Sequence, residues 1–465
     1  MTVTIDLFAL DRTLARAAVA RERTERAGFD APESPLERFR DVSGLRTLDA
    51  LVQEKPTQLE APLLAALRPF IADMLLSRLT YAAARDFRNR LAEPLVLSPP
   101  AAGPRRRLTW DEAFAELLVQ PNAAGADDWL ASLADAGAVV GDAARELRGR
   151  VGEAEERVRA RIASHPGPLW QGIGQAAPDD VASAFAEALL TATDDLSRDV
   201  LRDAVKREVR ERGVTPGASN VFLVALAREA TPTFPAGVRA RWFEELFGAH
   251  LAGLDVRPTL SRAVFGAASF ARGLTAFGRA LRRAVAAREL PYAMRTTPAG
   301  LEEARFGVLF GALAASPPFL RMLGATSARA REDRRALGRS FLVHARLAAI
   351  RVLLAQAAPR DSARFEELGA RFADVPLPAS LMGAFPRVAA PLAPTRELLA
   401  VMLHPALARD LVERFDEDWF KNPRAFLWIR ARGAVPISEH AVTPSVDDAP
   451  AAARAAHALL AELLA

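Results

Sequence analysis

Cysteine is absent from all 465 residues, which excludes disulfide frameworks, cysteine-ligated zinc, iron–sulfur clusters and thiol nucleophiles together. Histidine is scarce. The six are His165, His250, His344, His404, His440 and His457, and no two lie within five positions of each other. No pair can therefore hold a metal from one helix turn, as the helical HExxH zinc site requires, and each reads as a surface or satisfied core residue. β-Branched residues are sparse as well, which leaves residues 95–97 and 434–437 as the strand candidates. The best apolar run, 306–315, is about half the roughly 20 residues a membrane-spanning helix needs. Residues 1–24 carry Asp6 and Asp11 in place of an apolar signal-peptide segment, so a cytoplasmic location is expected. With few lysines and two tyrosines, little titrates between about pH 8 and 10. The isoelectric point near 10.0 therefore overstates a formal net charge of only +4. Basic residues that are almost all Arg, amid abundant Ala and Leu, fit a GC-rich bacterial genome better than a nucleic-acid-binding composition, and nucleic acid is not an expected partner.

What the chain does have is apolar residues at helical spacing. Leu7, Leu10, Leu14 and Ala18 form one stripe behind a candidate cap at Thr4. Val140, Ala144, Leu147, Val151, Ala154, Val158 and Ile162 form another, with Glu153, Glu155, Glu156, Arg157, Arg159 and Arg161 between them as a solvated face. These patterns predict an all-α fold, a large multi-helix body. Half the residues are apolar and a quarter charged, which supports a folded core. Pro and Gly cluster at 98–104, 164–178, 213–218, 231–237, 376–394 and 435–450. The division expected is an N-terminal helical region over 1–164 and a C-terminal one over 165–465. Gly172, Gly174 and Ala177 spell GxGxxA, but nothing before them can form the strand a dinucleotide fingerprint needs. Arg105, Arg106 and Arg107 read as a solvated linker rather than a phosphate site.

The most informative stretch is 270–320. It contains LTAFGRALRRA over 274–284, a Pro291-Tyr292 break, and TPAGLEEARFGVLFGAL over 297–313. It resembles the core of the M3-like, mostly helical gluzincin oligopeptidases, where a helix with HE(F/L)GHALH precedes one with a metal-binding Glu in a pattern like TEAxAFLFExL. A second patch, RFDEDWFKNPRAFLW over 414–428, is similar to their RFxEDWxxNPxAGxxL segment. The resemblance spans about 270–432 and implies a zincin-like helical fold. In its register Thr275 stands where the first zinc His would be, Ala276 where the catalytic Glu would be and Arg279 where the second His would be. Phe277, Gly278, Ala280 and Leu281 keep the packing positions. Glu302 or Glu303 falls near the third ligand, with one residue of ambiguity. A guanidinium has no lone pair for a metal and stays charged at physiological pH, and Ala276 supplies no general base.

The expectation is thus a non-catalytic, zinc-free, pseudo-metallopeptidase-like protein without a cofactor. It would bind a protein or peptide partner, with an acidic or carboxylate group, through a helical cleft. The residues expected there are Arg279, Arg282, Arg283, Glu302 and Glu303, with Arg279 and Arg282 sharing a face and a carboxylate pairing with Arg279. The same residues also fit a structural helical subunit of a larger assembly, or an enzyme of another class working with carboxylates and Arg. Trp419, Phe420 and Trp428 are expected core anchors, with Asp418 capping near Asn422 or pairing with Arg414.

Overall fold

The computed structural model describes the chain except for residues 1–4, 28–30, 55–56, 98–105, 111, 114–115, 117–122, 163–178, 213–219, 236–239, 259–265, 297–299, 358–360, 381–392 and 440–443. Thr4, Arg105, Gly172, Gly174, Ala177, His165 and His440 therefore lie outside the described residues. The described chain is predominantly helical, as the periodicity predicts. No described helix is long and apolar enough to cross a membrane.

The N-terminal helices are α1 (Leu7–Ala27), α2 (Ala61–Leu79) and α3 (Tyr81–Ala92). Asp6 caps α1 by accepting the Ala9 N–H at 2.9 Å. The stripe Leu7, Leu10, Leu14 and Ala18 is buried against Leu67, Phe70 and Ile71 of α2 in one apolar cluster. The strands β1 (Leu95–Leu97) and β2 (Arg106–Leu108) pair antiparallel, Val96 opposite Arg107. Arg106 and Arg107 are thus strand residues, a correction to the linker reading. Arg106 pairs with Glu116 at 3.2 Å and lies over Trp129. Residues 434–437 form no strand: they follow a helix end, and Ile437 opens a short helical turn.

Next come α4 (Ala123–Ile162) and α5 (Asp179–Arg212). The largest core crosses residue 164, gathering Leu133 of α4 and Phe185 of α5 with buried residues from further on. Those later elements are α6 (Gly266–Ala284), α7 (Leu301–Ala312), α8 (Ser327–Gln356), α9 (Ala393–Phe415), α10 (Pro423–Gly433) and α11 (Ala449–Leu464). Arg346 of α8, buried, donates through its two terminal nitrogens to Leu190 O, Thr193 Oγ1 and Asp194 of α5, so most of its charge is met inside by acceptors.

The third core is aromatic and surrounds α6 and α7. Phe277 stacks on Phe247 at 4.8 Å between centroids, and Phe310 meets Trp419 edge-on at 5.4 Å. Trp419 and Phe420 are buried anchors, while Trp428 is only partly buried. Asn422 caps α10 through the Arg424 N–H. Arg414 pairs with Asp410 at 3.8 Å, not with Asp418.

Candidate functional site

The helices α6 and α7 meet backbone to backbone because glycine faces glycine-sized space on both. A Cβ on Gly278 would lie 2.3 Å from Phe306 O, and one on Gly307 would lie 2.8 Å from Arg279 Cγ. The stem of Arg279 therefore runs along α7. Thr275, one turn earlier, bonds back to Ala271 O at 2.9 Å.

The two Arg residues beyond Arg279 part company. Steps of three and four residues rotate in opposite senses by about 60° and 40° on a helix. Arg283, four residues on, joins Arg279 in lining a cavity of about 330 Å³. Arg282, three residues on, is buried on the other flank, close enough to Arg432 of α10 for the two guanidiniums to repel. The expected shared face of Arg279 and Arg282 is therefore corrected to Arg279 and Arg283. The two carboxylates divide likewise. Glu302, buried, pairs with Arg305 and at 3.8 Å with Arg432. Glu303 lines the cavity and accepts from Thr296 Oγ1. Among the described residues neither acid forms an ion pair with Arg279, so the expected replacement of metal ligation by an Arg279 carboxylate pair is also corrected.

Residues far away in sequence complete the walls. From α1 come Ala18, Val19, Arg21 and Glu22, from α2 Phe70, and from α9 Arg396. A single helical turn, Tyr292–Arg295, contributes Tyr292 and Arg295. That turn is fixed by Asp11 of α1, whose carboxylate oxygens accept the Tyr292 and Ala293 N–H groups, both at 2.8 Å. Gly300, at φ 64°, starts α7 in the left-handed region and forms the adjoining wall.

Positive charge dominates the lining, five guanidiniums against two carboxylates. Arg21 is paired with Asp73 at 2.5 Å and Arg283 with Glu22 at 3.2 Å. Arg279 is half-buried, and its Nε is closed to solvent without a hydrogen-bond partner among the described residues. Burial, then the neighbouring Arg396, pushes its pKa down to about 10, which leaves it protonated at neutral pH. Arg295 lies over the Tyr292 ring at 5.9 Å, its own Nε equally without a partner among the described residues. Tyr292 packs on Phe70 with centroids 5.6 Å apart. Burial, reinforced by Glu303, Glu22 and Asp73 against Arg21, pushes its phenol up to about 12, so the hydroxyl is neutral.

No group of three His, Asp or Glu side chains is placed to hold a metal among the described residues. His344, half-buried, and His404, buried, have pKa values pushed down to about 3 and about 4, chiefly by desolvation of the rings. Neither lines the cavity. No family model matches the chain, and no curated protein matches it either.

Proposed function

We propose that this chain is a zinc-free, non-hydrolytic helical protein of the cytoplasm that takes up an anionic group of a protein or peptide partner in its arginine-lined cavity. One observation carries the reading: a half-buried Arg279 with no ion pair among the described residues and four further guanidiniums converge on one cavity with only two lining acids. Buried cations without counter-charge are costly to keep, and an incoming anion removes that cost. The M3-like resemblance is consistent with this arrangement. It makes α6 the degenerate metal helix, with Arg279 at the ligand position and Ala276 in place of a base, and it gives the cavity the role of a former substrate site. The exposed large apolar side chains, such as Leu59 before α2 and Leu427 on α10, sit on separate elements, which does not favour a large apolar assembly face.

The test is to capture a partner with the full chain and compare its affinity for wild type and an Arg279→Gln, Arg396→Gln variant of unchanged melting temperature. Loss of desolvated charge-assisted contacts should weaken binding by on the order of 2–5 kcal/mol. A change under threefold, well below 1 kcal/mol, would refute the cavity as the binding site.

A further inference from the structure

Resting on the anion-binding reading, we propose that the partner is an extended acidic peptide with a second carboxylate three residues from the one in the cavity, and that Arg272 of α6 receives this second charge. The placement starts from the open face of α6. Between Ala267 and Arg283 every residue of the helix is buried except Ser269, Arg272, Thr275, Ala276, Arg279 and Arg283. Steps of three and four put all of these but Thr275 within an arc of about 80°. The face that α6 leaves uncovered thus carries three cations and no acid. Arg279 and Arg283 line the cavity, and Arg272 stands beyond it.

Arg272 differs from its two companions in what surrounds it. Arg283 is paired with Glu22, and the charges of Glu397 and Glu303 reach Arg279. Arg272 is exposed and forms no ion pair among the described residues, and the neighbouring charge that acts on it, Arg351 of α8, has its own sign. Exposed as it is, its guanidinium is ringed closely enough by protein for desolvation to push its pKa down. It therefore borders a recess. The facing wall is α8, where His344 and Arg351 lie seven residues apart on one face. Arg272 and Arg351 both act on His344, which desolvation keeps neutral. Arg351 has Glu397 at 3.3 Å, so the cation left for an incoming charge is Arg272.

Spacing then sets the ligand. Arg272 and Arg279 are seven residues apart, about 10 Å along the helix axis. A polyproline-II segment has three residues per turn and rises about 3.1 Å per residue, so its i and i+3 side chains share a face about 9 Å apart. A cavity of about 330 Å³ admits a side chain with a slim stretch of backbone, whereas a helix about 10 Å across is too wide to follow.

Isothermal titration calorimetry on the full chain at constant ionic strength tests this with end-blocked peptides. Pro-Glu-Pro-Pro-Glu-Pro should bind about tenfold tighter than either version with one Glu replaced by Gln, and tighter than Pro-Glu-Glu-Pro-Pro-Pro, which has the same charge without the spacing. Arg272→Gln should remove that advantage and leave the single-acid peptides unchanged, while Arg279→Gln should weaken them all. A merely structural Arg272 would instead move every peptide alike. Equal affinity for the spaced and adjacent acids, or an Arg272→Gln variant that binds the spaced peptide like wild type or weakens every peptide equally, overturns the two-point assignment and leaves the cavity reading standing. Absence of saturable binding by every peptide at millimolar concentration overturns both.

Discussion

Replacing Gly278 by Ala tests the α6–α7 contact on which the cavity is built. The added methyl would lie 2.3 Å from Phe306 O, 2.9 Å from Phe306 C and 2.9 Å from Phe310 Cβ. Two of those atoms are backbone of a packed helix, so no side-chain rotation relieves the clash and the helices must separate. Overpacking of this kind costs about 3 kcal/mol. Ala gains about 1 kcal/mol over Gly in a helix interior, which leaves a net loss of about 2 kcal/mol. Gly149 of α4 is the internal control, exposed and with nothing within 4 Å of a built Cβ. The same substitution there should stabilise by about 0.5–1 kcal/mol. Urea denaturation of the two variants should therefore move the midpoint in opposite directions at unchanged slope. If Gly278→Ala is neutral, or moves with Gly149→Ala, then α6 and α7 are not in backbone contact and Arg279 does not line the cavity as described.

Glu302→Ala would leave the buried Arg305 and the half-buried Arg432 without their acid, and the melting temperature should fall as for a loss of about 3–5 kcal/mol. His344 and His404 are held neutral in the fold, with pKa values depressed to about 3 and about 4, whereas the unfolded chain titrates near 6.5. Their stabilisation is complete above about pH 7 and is lost as pH falls from 6.5 toward 4, by about 2 kcal/mol per imidazole at pH 5. Urea midpoints should drop between pH 7 and 5, and less so in a His344→Gln, His404→Gln variant; equal midpoints at both pH values would contradict the burial of these rings. Phosphate at constant ionic strength should raise the melting temperature of wild type by mass action on the folded state, and it should leave an Arg279→Gln variant unmoved. Asn422→Ala should cost about 1 kcal/mol through loss of the α10 cap, measurable as a shift in urea midpoint.

The helices were legible because three-and-four spacing is a local property: the stripes at Leu7 and Val140 needed only their own segments. β1 was legible from its apolar Leu-Val-Leu run, but its partner was not. Arg106 and Arg107 face outward with only Leu108 half-buried, so the alternation that marks a strand is missing. Arg279 was placed by a motif resemblance, yet helix spacing alone could not choose between Arg282 and Arg283 as its companion. The choice belongs to α7 and α10, which cover one flank. Arg21, Arg295 and Arg396 carried no signal at all, because nothing near Arg21 or Arg396 in sequence announces that they meet around Tyr292.

The hold of Asp11 on the Tyr292–Arg295 turn spans 281 residues of chain, and the last wall, Arg396, is more than a hundred residues further on. During synthesis α1 and α2 must wait, their cavity-facing residues exposed, until the ribosome has passed Arg396. Closing so long a loop is an entropic expense that only the completed contacts repay. The cavity is therefore a late product of folding, and a nascent chain stopped before α9 would hold every other wall and still lack Arg396.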